Sequence, residues 1–208
     1  MNFLEKYGLK IILILFLTFS YSIIAETKKL LILGDSISAG YGIKESENWV
    51  RLLETSLKRD SFDIEIVNSS VSGDTTIGGL SRIKNDLDQY SPDLVLIELG
   101  GNDALRGYPI KQIKSNLNKI IDECIKAGST PIIMQIRIPP NYGKNYVQAF
   151  ESIYPEIAEE NNLKLLSFLL QEVALRKDLM QLDGIHPNAN AQPIIANQVR
   201  QELLDVLE

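Results

Sequence analysis

One histidine and one cysteine are all that this 208-residue chain holds of the two side chains most used to bind transition metals. One of each cannot complete the usual ligand set of a zinc site, so no metal is expected. The single cysteine, Cys124, also excludes an internal disulfide. It lies on the stripe Ile110, Ile113, Leu117, Ile120, Ile121 and Cys124, whose spacing is one face of a helix, and reads as a small buried hydrophobe. An excess of positive charge is missing too: 21 Lys and Arg stand against 27 Asp and Glu, a formal net charge of −6. That balance argues against nucleic acid as a partner. No Lys/Arg run or basic amphipathic stripe suggests a membrane-surface helix. There is no repeat, no low-complexity segment and no internal linker. G-x-S-x-G is absent as well, so the nucleophile elbow of the α/β-hydrolases is not present.

Long hydrophobic runs are limited to the start of the chain. Lys6 and Lys10 precede the apolar Ile11–Phe19, and Ile23-Ile24-Ala25 follows. About 14 apolar residues are short for a span of about 20, and the layout fits a secretory signal peptide. Residues 1–25 are therefore expected to be removed, by cleavage after Ala25. Cleavage after Ser22 and an uncleaved anchor are the alternatives. The expected location is periplasmic or secreted, with no stable membrane insertion after cleavage. Residues 26–208 are long enough for one domain with a sizeable core.

In that remainder, short apolar runs alternate with amphipathic ones. Leu30–Leu33, Ile64–Val67, Leu94–Leu99, Ile132–Ile136 and Leu163–Leu166 read as strands, and several are continuous stretches of Ile, Leu and Val as expected for strands covered on both faces. Helical patterns lie between them, at Trp49–Leu57, Leu80–Leu87, along the Cys124 stripe and near Tyr146–Ala158. Another helix carries Ile195, Val199, Leu203 and Val206. This rhythm predicts an α/β fold with a mostly parallel sheet of about five strands and helices on both faces. In such a sheet the loops after the strands share one edge, where ligands bind.

Those loops carry the polar residues. Ser36 follows the first run, Gly73 the second and Asn102 the third; Asp183-Gly184-Ile185-His186-Pro187 comes some way after the fifth. A serine hydroxyl needs a base within hydrogen-bond reach to act as a nucleophile, and histidine suits that task. With one histidine in the chain, the base can only be His186, and Asp183 is placed to hold its ring. Gly73 and Asn102 can offer a backbone N–H and a side-chain amide to a developing oxyanion. Taken singly, each has a bland alternative: Ser36 a helix cap, Gly73 a turn glycine, Asn102 a cap or Asx-turn.

Together, Gly34-Asp35-Ser36-Ile37-Ser38, Gly73, Gly100-Gly101-Asn102-Asp103 and Asp183–Pro187 resemble the four sequence blocks of the GDSL, or SGNH, hydrolases. Ile37 takes the place of the usual leucine. The match is closer still to the bacterial thioesterase I / lysophospholipase L1 / arylesterase group, through Ser38-Ala39-Gly40-Tyr41, Leu105-Arg106-Gly107, Met134–Pro139 and Ala191-Gln192-Pro193. The resemblance implies a three-layer α/β/α, flavodoxin-like fold, Ser36 as nucleophile, His186 as base and Asp183 as its partner. It implies an oxyanion hole from the Ser36 and Gly73 N–H groups and the Asn102 side chain, and no cofactor. It also implies a mobile Thr75–Leu80 loop closing over an acyl chain, with Ile138 and Tyr142 beside the acyl pocket. The expected activity is hydrolysis of lipid or aryl esters and thioesters, with a monomer expected. A carbohydrate O-deacetylase on the same fold and a flavodoxin-like phosphate- or nucleotide-binding module are the alternatives.

Overall fold

The five apolar runs become five strands: β1 (Lys28–Gly34), β2 (Ile64–Asn68), β3 (Leu94–Glu98), β4 (Thr130–Met134) and β5 (Lys164–Leu166). The computed structural model describes residues 27–207. The expected leader, residues 1–25, lies outside the described residues. All four pairings are parallel, in the order β2-β1-β3-β4-β5. Every residue of β3 is buried, as its uninterrupted Leu-Val-Leu-Ile run requires. Leu99 and Ile136, expected as strand residues, lie just past the ends of β3 and β4.

Strand side chains alternate between two cores. Leu30, Ile32, Leu94, Leu96, Ile132 and Met134 pack on one side against α2 (Trp49–Arg59) and α7 (Gln192–Leu207). Leu31, Leu33, Val95, Ile97 and Ile133 pack on the other against α3 (Thr76–Tyr90), α5 (Ile110–Lys126) and α6 (Lys144–Asn161). This is the three-layer α/β/α arrangement. Cys124 is fully buried on the α5 stripe, and burial pushes its thiol up to about 12, so it stays protonated.

Two short helices complete the functional edge, α1 (Ser36–Ala39) and α4 (Gly101–Leu105). β1 leads through α1 to α2 on one face, and β3 leads through α4 to α5 on the other. The connections therefore diverge between β1 and β3, at the switch point of a flavodoxin-like strand order. Gly34 and Glu98 are paired there. A Cβ at Gly34 would come within 2.8 Å of both Glu98 Oε2 and Ser70 Oγ, so the close approach of these strand ends needs glycine.

The Thr75–Leu80 segment differs from its expected form. Thr75 is the N-cap of α3, and Thr76–Leu80 is its first turn. The buried Asp103 carboxylate accepts from the Thr76 N–H (2.8 Å) and hydroxyl (2.6 Å), and Asn116 Nδ2 donates to the same hydroxyl (3.0 Å). A carboxylate at a helix N-terminus satisfies donors that the helix leaves open. That stabilises the segment as helix, a contact 27 residues away that no local pattern announces. The helix expected to carry Ile195, Val199, Leu203 and Val206 is α7, and a single 3₁₀ turn at Ala189–Ala191 leads into it.

Candidate active site

Ser36 opens α1, but the capping work falls on Asp35, whose Oδ1 accepts the Ile37 N–H at 3.0 Å. The Ser36 hydroxyl is thus released from a cap and lies 2.8 Å from His186 Nε2. On the far side of the ring, Nδ1 is 2.7 Å from Asp183 Oδ2. A carboxylate only accepts, so Nδ1 carries the hydrogen and the Nε2 lone pair faces the serine hydroxyl. Asp183 Oδ1 accepts the backbone N–H groups of Ile185 (2.9 Å) and His186 (3.0 Å). Those bonds, the His186 N–H first and then its ring, draw the Asp183 carboxyl down to about 2. The acid stays ionised beside an imidazole that can take a proton.

The histidine loop is tied down by polar contacts. Gln181 donates from its backbone to the His186 carbonyl (2.7 Å) and from its side chain to the carbonyls of Tyr41 (2.7 Å) and Pro187 (3.1 Å). The Tyr41 ring lies against the imidazole, with centroids 4.6 Å apart. Asn188 Nδ2 donates to the Asp178 carbonyl at 2.8 Å.

Gly73 is the third residue of a turn closed by the Asp74 N–H on the Val71 carbonyl, and its φ of +80° is one that glycine adopts at no steric cost. It is a turn glycine, as the bland reading had it. Its own N–H has no hydrogen-bond partner among the described residues. The Val71 N–H reaches the Gly34 carbonyl (3.0 Å), and Arg106 Nη2 donates to the Gly73 carbonyl (3.1 Å). These links place the turn beside the Gly34–Ser36 segment and tie it to the C-terminal end of α4. Asn102 is not a cap. α4 is capped by Gly100 without a side-chain bond, and Asn102 Nδ2 donates instead to Asp35 Oδ2 at 3.0 Å.

Beneath the serine lies an acidic layer. Glu98 Oε2 accepts from the Ser38 hydroxyl (2.7 Å) and the Asp35 N–H (3.3 Å). Burial, then the nearby Asp35 charge, hold the Glu98 carboxyl well above the usual carboxylate range. Burial also raises Asp35, to about 6, against the pull of the Ile37 N–H and His186. Neither acid stood out in the sequence. Asp35 lies within the first sequence block and Glu98 just before the third, but only contacts spanning about 60 residues show that they are buried together. Ile138 packs into the α3/α5/α6 core, and Tyr142 is partly exposed on a 3₁₀ turn (Pro140–Tyr142). No group of three or more His, Cys, Asp or Glu among the described residues is arranged to hold a metal ion. None of the helices described is long and apolar enough to cross a membrane.

A serine, a histidine and an aspartate in one hydrogen-bonded line at the switch point of a parallel sheet is the layout of a serine hydrolase of the α/β/α class. Residues 32–192 match the GDSL-like Lipase/Acylhydrolase family, and the chain belongs to it. It is 49% identical over 178 residues to an arylesterase of Vibrio mimicus, covering 86% of this chain and 89% of that protein. It is 43% identical to the thioesterase 1/protease 1/lysophospholipase L1 of Escherichia coli K12, covering 98% and 96%. Among solved structures, the psychrotrophic esterase EstA from Pseudoalteromonas, inhibited by monoethylphosphonate, matches with a TM-score of 0.84 and 41% identity. That match covers 86% of this chain and 98% of the esterase.

Proposed function

We propose that the protein is an exported serine esterase that hydrolyses acyl esters and thioesters through Ser36, His186 and Asp183. The observation that carries this reading is the pair of contacts on one ring, 2.8 Å to Ser36 Oγ and 2.7 Å to Asp183 Oδ2. His186 Nε2 takes the hydroxyl proton as Ser36 Oγ bonds to the substrate carbonyl carbon. Charge developing on the carbonyl oxygen meets the N–H groups of Ser36 and Gly73 and the Asn102 amide. The tetrahedral species collapses, the bond to the leaving oxygen or sulfur breaks, and His186 returns the proton to that atom. Water then adds to the acyl-enzyme with His186 again as base, and the acid leaves with Ser36 restored.

The rim supports lipid or aryl esters over acetylated sugars. Tyr41, Val71, Ile77 and Ile185 are large apolar side chains left exposed on the segments that carry Ser36, Gly73 and His186. The arylesterase and thioesterase/lysophospholipase names of the relatives agree with that choice. A series of p-nitrophenyl esters and acyl-CoAs of increasing chain length tests it: turnover should rise beyond acetyl. A preference for acetylated sugar over every acyl and aryl ester would favour the O-deacetylase instead. Ser36→Ala should abolish turnover with an unchanged melting temperature, and an organophosphonate should label Ser36 alone. Labelling at another serine would end the assignment. Export rests on Lys6, Lys10 and the apolar Ile11–Phe19. A mature protein beginning at Glu26, recovered from the periplasm or medium, is the expected result.

A further inference from the structure

We propose that Asp35 is a positioning residue that fixes which end of the Asn102 carboxamide faces the reacting carbonyl. The proposal rests on the role given to Asn102 above. Asn102 sits in the first turn of α4, where Gly100 supplies no side-chain cap. Among the described residues, its side chain has one hydrogen-bond partner, Asp35 Oδ2 at 3.0 Å. A carboxylate offers only lone pairs, so the amide must turn its NH₂ towards Asp35. Turned over, it would set its own carbonyl oxygen against the carboxylate, two acceptors facing each other at a site where Asp35 is only 5% exposed. The NH₂ group has two hydrogens. Asp35 takes one, and the other is left to donate to an oxyanion.

Asp35 is itself held at two points: its Oδ1 is engaged by the Ile37 N–H and its backbone N–H by Glu98. One carboxylate therefore binds the turn that carries Ser36 to the helix that carries Asn102. Although burial raises Asp35, its ordinary state above about pH 6 is the carboxylate, the form that orients the amide.

Asp35→Asn separates this role from capping. Asparagine caps a helix about as well as aspartate, so the Ile37 bond survives. The new NH₂, however, stands where Oδ2 stood, and Asn102 must turn its carbonyl oxygen to it. With p-nitrophenyl butyrate, kcat should fall about 10- to 100-fold with KM within about twofold and an unchanged melting temperature. Asn102→Ala alone should cut kcat by about 10²–10³-fold. Adding Asp35→Asn to Asn102→Ala should cost no more than about twofold further, because the group that Asp35 orients is gone. If Asp35→Asn folds poorly, Asp35→Ser keeps a capping oxygen too short to reach Asn102, and the same non-additivity is expected. Near-normal kcat in Asp35→Asn, or an equal further loss in the Asn102→Ala background, would overturn the proposal and leave the role of Asn102 standing. Near-normal kcat in Asn102→Ala would remove that role, and the proposal with it.

Discussion

Ser36 and His186 touch, yet the regions that present them are built in opposite ways. Ser36 directly follows β1, the strand between β2 and β3, and the side chains beneath it are buried. Its position is set by the sheet, by Gly34 packed against Glu98, and by acids that water does not reach. His186 stands in the long irregular connection from β5 to α7, flanked by exposed Leu182, Asp183 and Ile185. It is held by the hydrogen bonds that its ring and backbone N–H give to Asp183 and that its carbonyl accepts from Gln181, rather than by a core. Local charge follows the same division. Burial pushes the acids under Ser36 up, whereas hydrogen bonding pulls Asp183 down. The strand side is fixed by packing, and its polar groups cost stability. The loop side is fixed by its polar groups, which do the work of packing.

Asp183→Asn is the sharpest way to break the loop side. It keeps the shape of the side chain but lets the ring adopt the wrong tautomer, so kcat should fall about 10³–10⁴-fold with little change in KM. A loss under tenfold would mean that Gln181 and the backbone alone hold His186. Gln181→Ala is the milder cut. It removes the side-chain links to Tyr41 and Pro187, and should lower kcat about 3- to 10-fold and stability by about 1 kcal/mol. Faster amide exchange should be confined to the segment around residues 180–188. Exchange spreading into β1 would show that the two sides are not independent.

The smallest expected effect lies on the strand side and concerns stability. Glu98 is raised in the folded protein, so between its ordinary value and its folded one the native state holds more protons than the unfolded chain. Its stabilising contribution is complete below the ordinary glutamate value of 4.5 and is lost as pH rises through the folded value. Asp183 has the opposite sign: its contribution is present above 3.8 and is lost as pH falls towards about 2. Urea unfolding of the wild type should thus show stability falling as pH rises above about 5, by up to about 1.4 kcal/mol per pH unit for each proton released. Glu98→Gln should flatten that slope. Equal slopes in the two proteins would show that Glu98 ionises in the fold as freely as in water.

The same division explains what could be read from the chain. The inner strands β1, β3 and β4 were legible because strands covered on both faces become near-continuous apolar runs, and the edge strands β2 and β5 showed as shorter, partly exposed versions of the same pattern. The Ser36–His186 pairing was legible because one histidine leaves no choice. Asp35 and Glu98 were not, since an acid at a strand end is ordinarily solvated and only the approach of β1 to β3 buries these two. Gln181 left no mark at all, because any polar residue in a loop looks alike until its partners are placed. Thr75–Leu80 was misread as a loop for the same reason: Asp103, which fixes its first turn, comes from the next β–α connection.

Ser36 leaves the ribosome 150 residues ahead of the one histidine proposed to activate it. A nascent chain, or a fragment cut anywhere between them, carries the hydroxyl without its base. On the proposed mechanism, hydrolytic power arrives only once synthesis has passed His186 and the sheet has closed on both sides of β1. Under the export proposed above, a precursor held unfolded for translocation would be harmless to the esters of the cell that makes it.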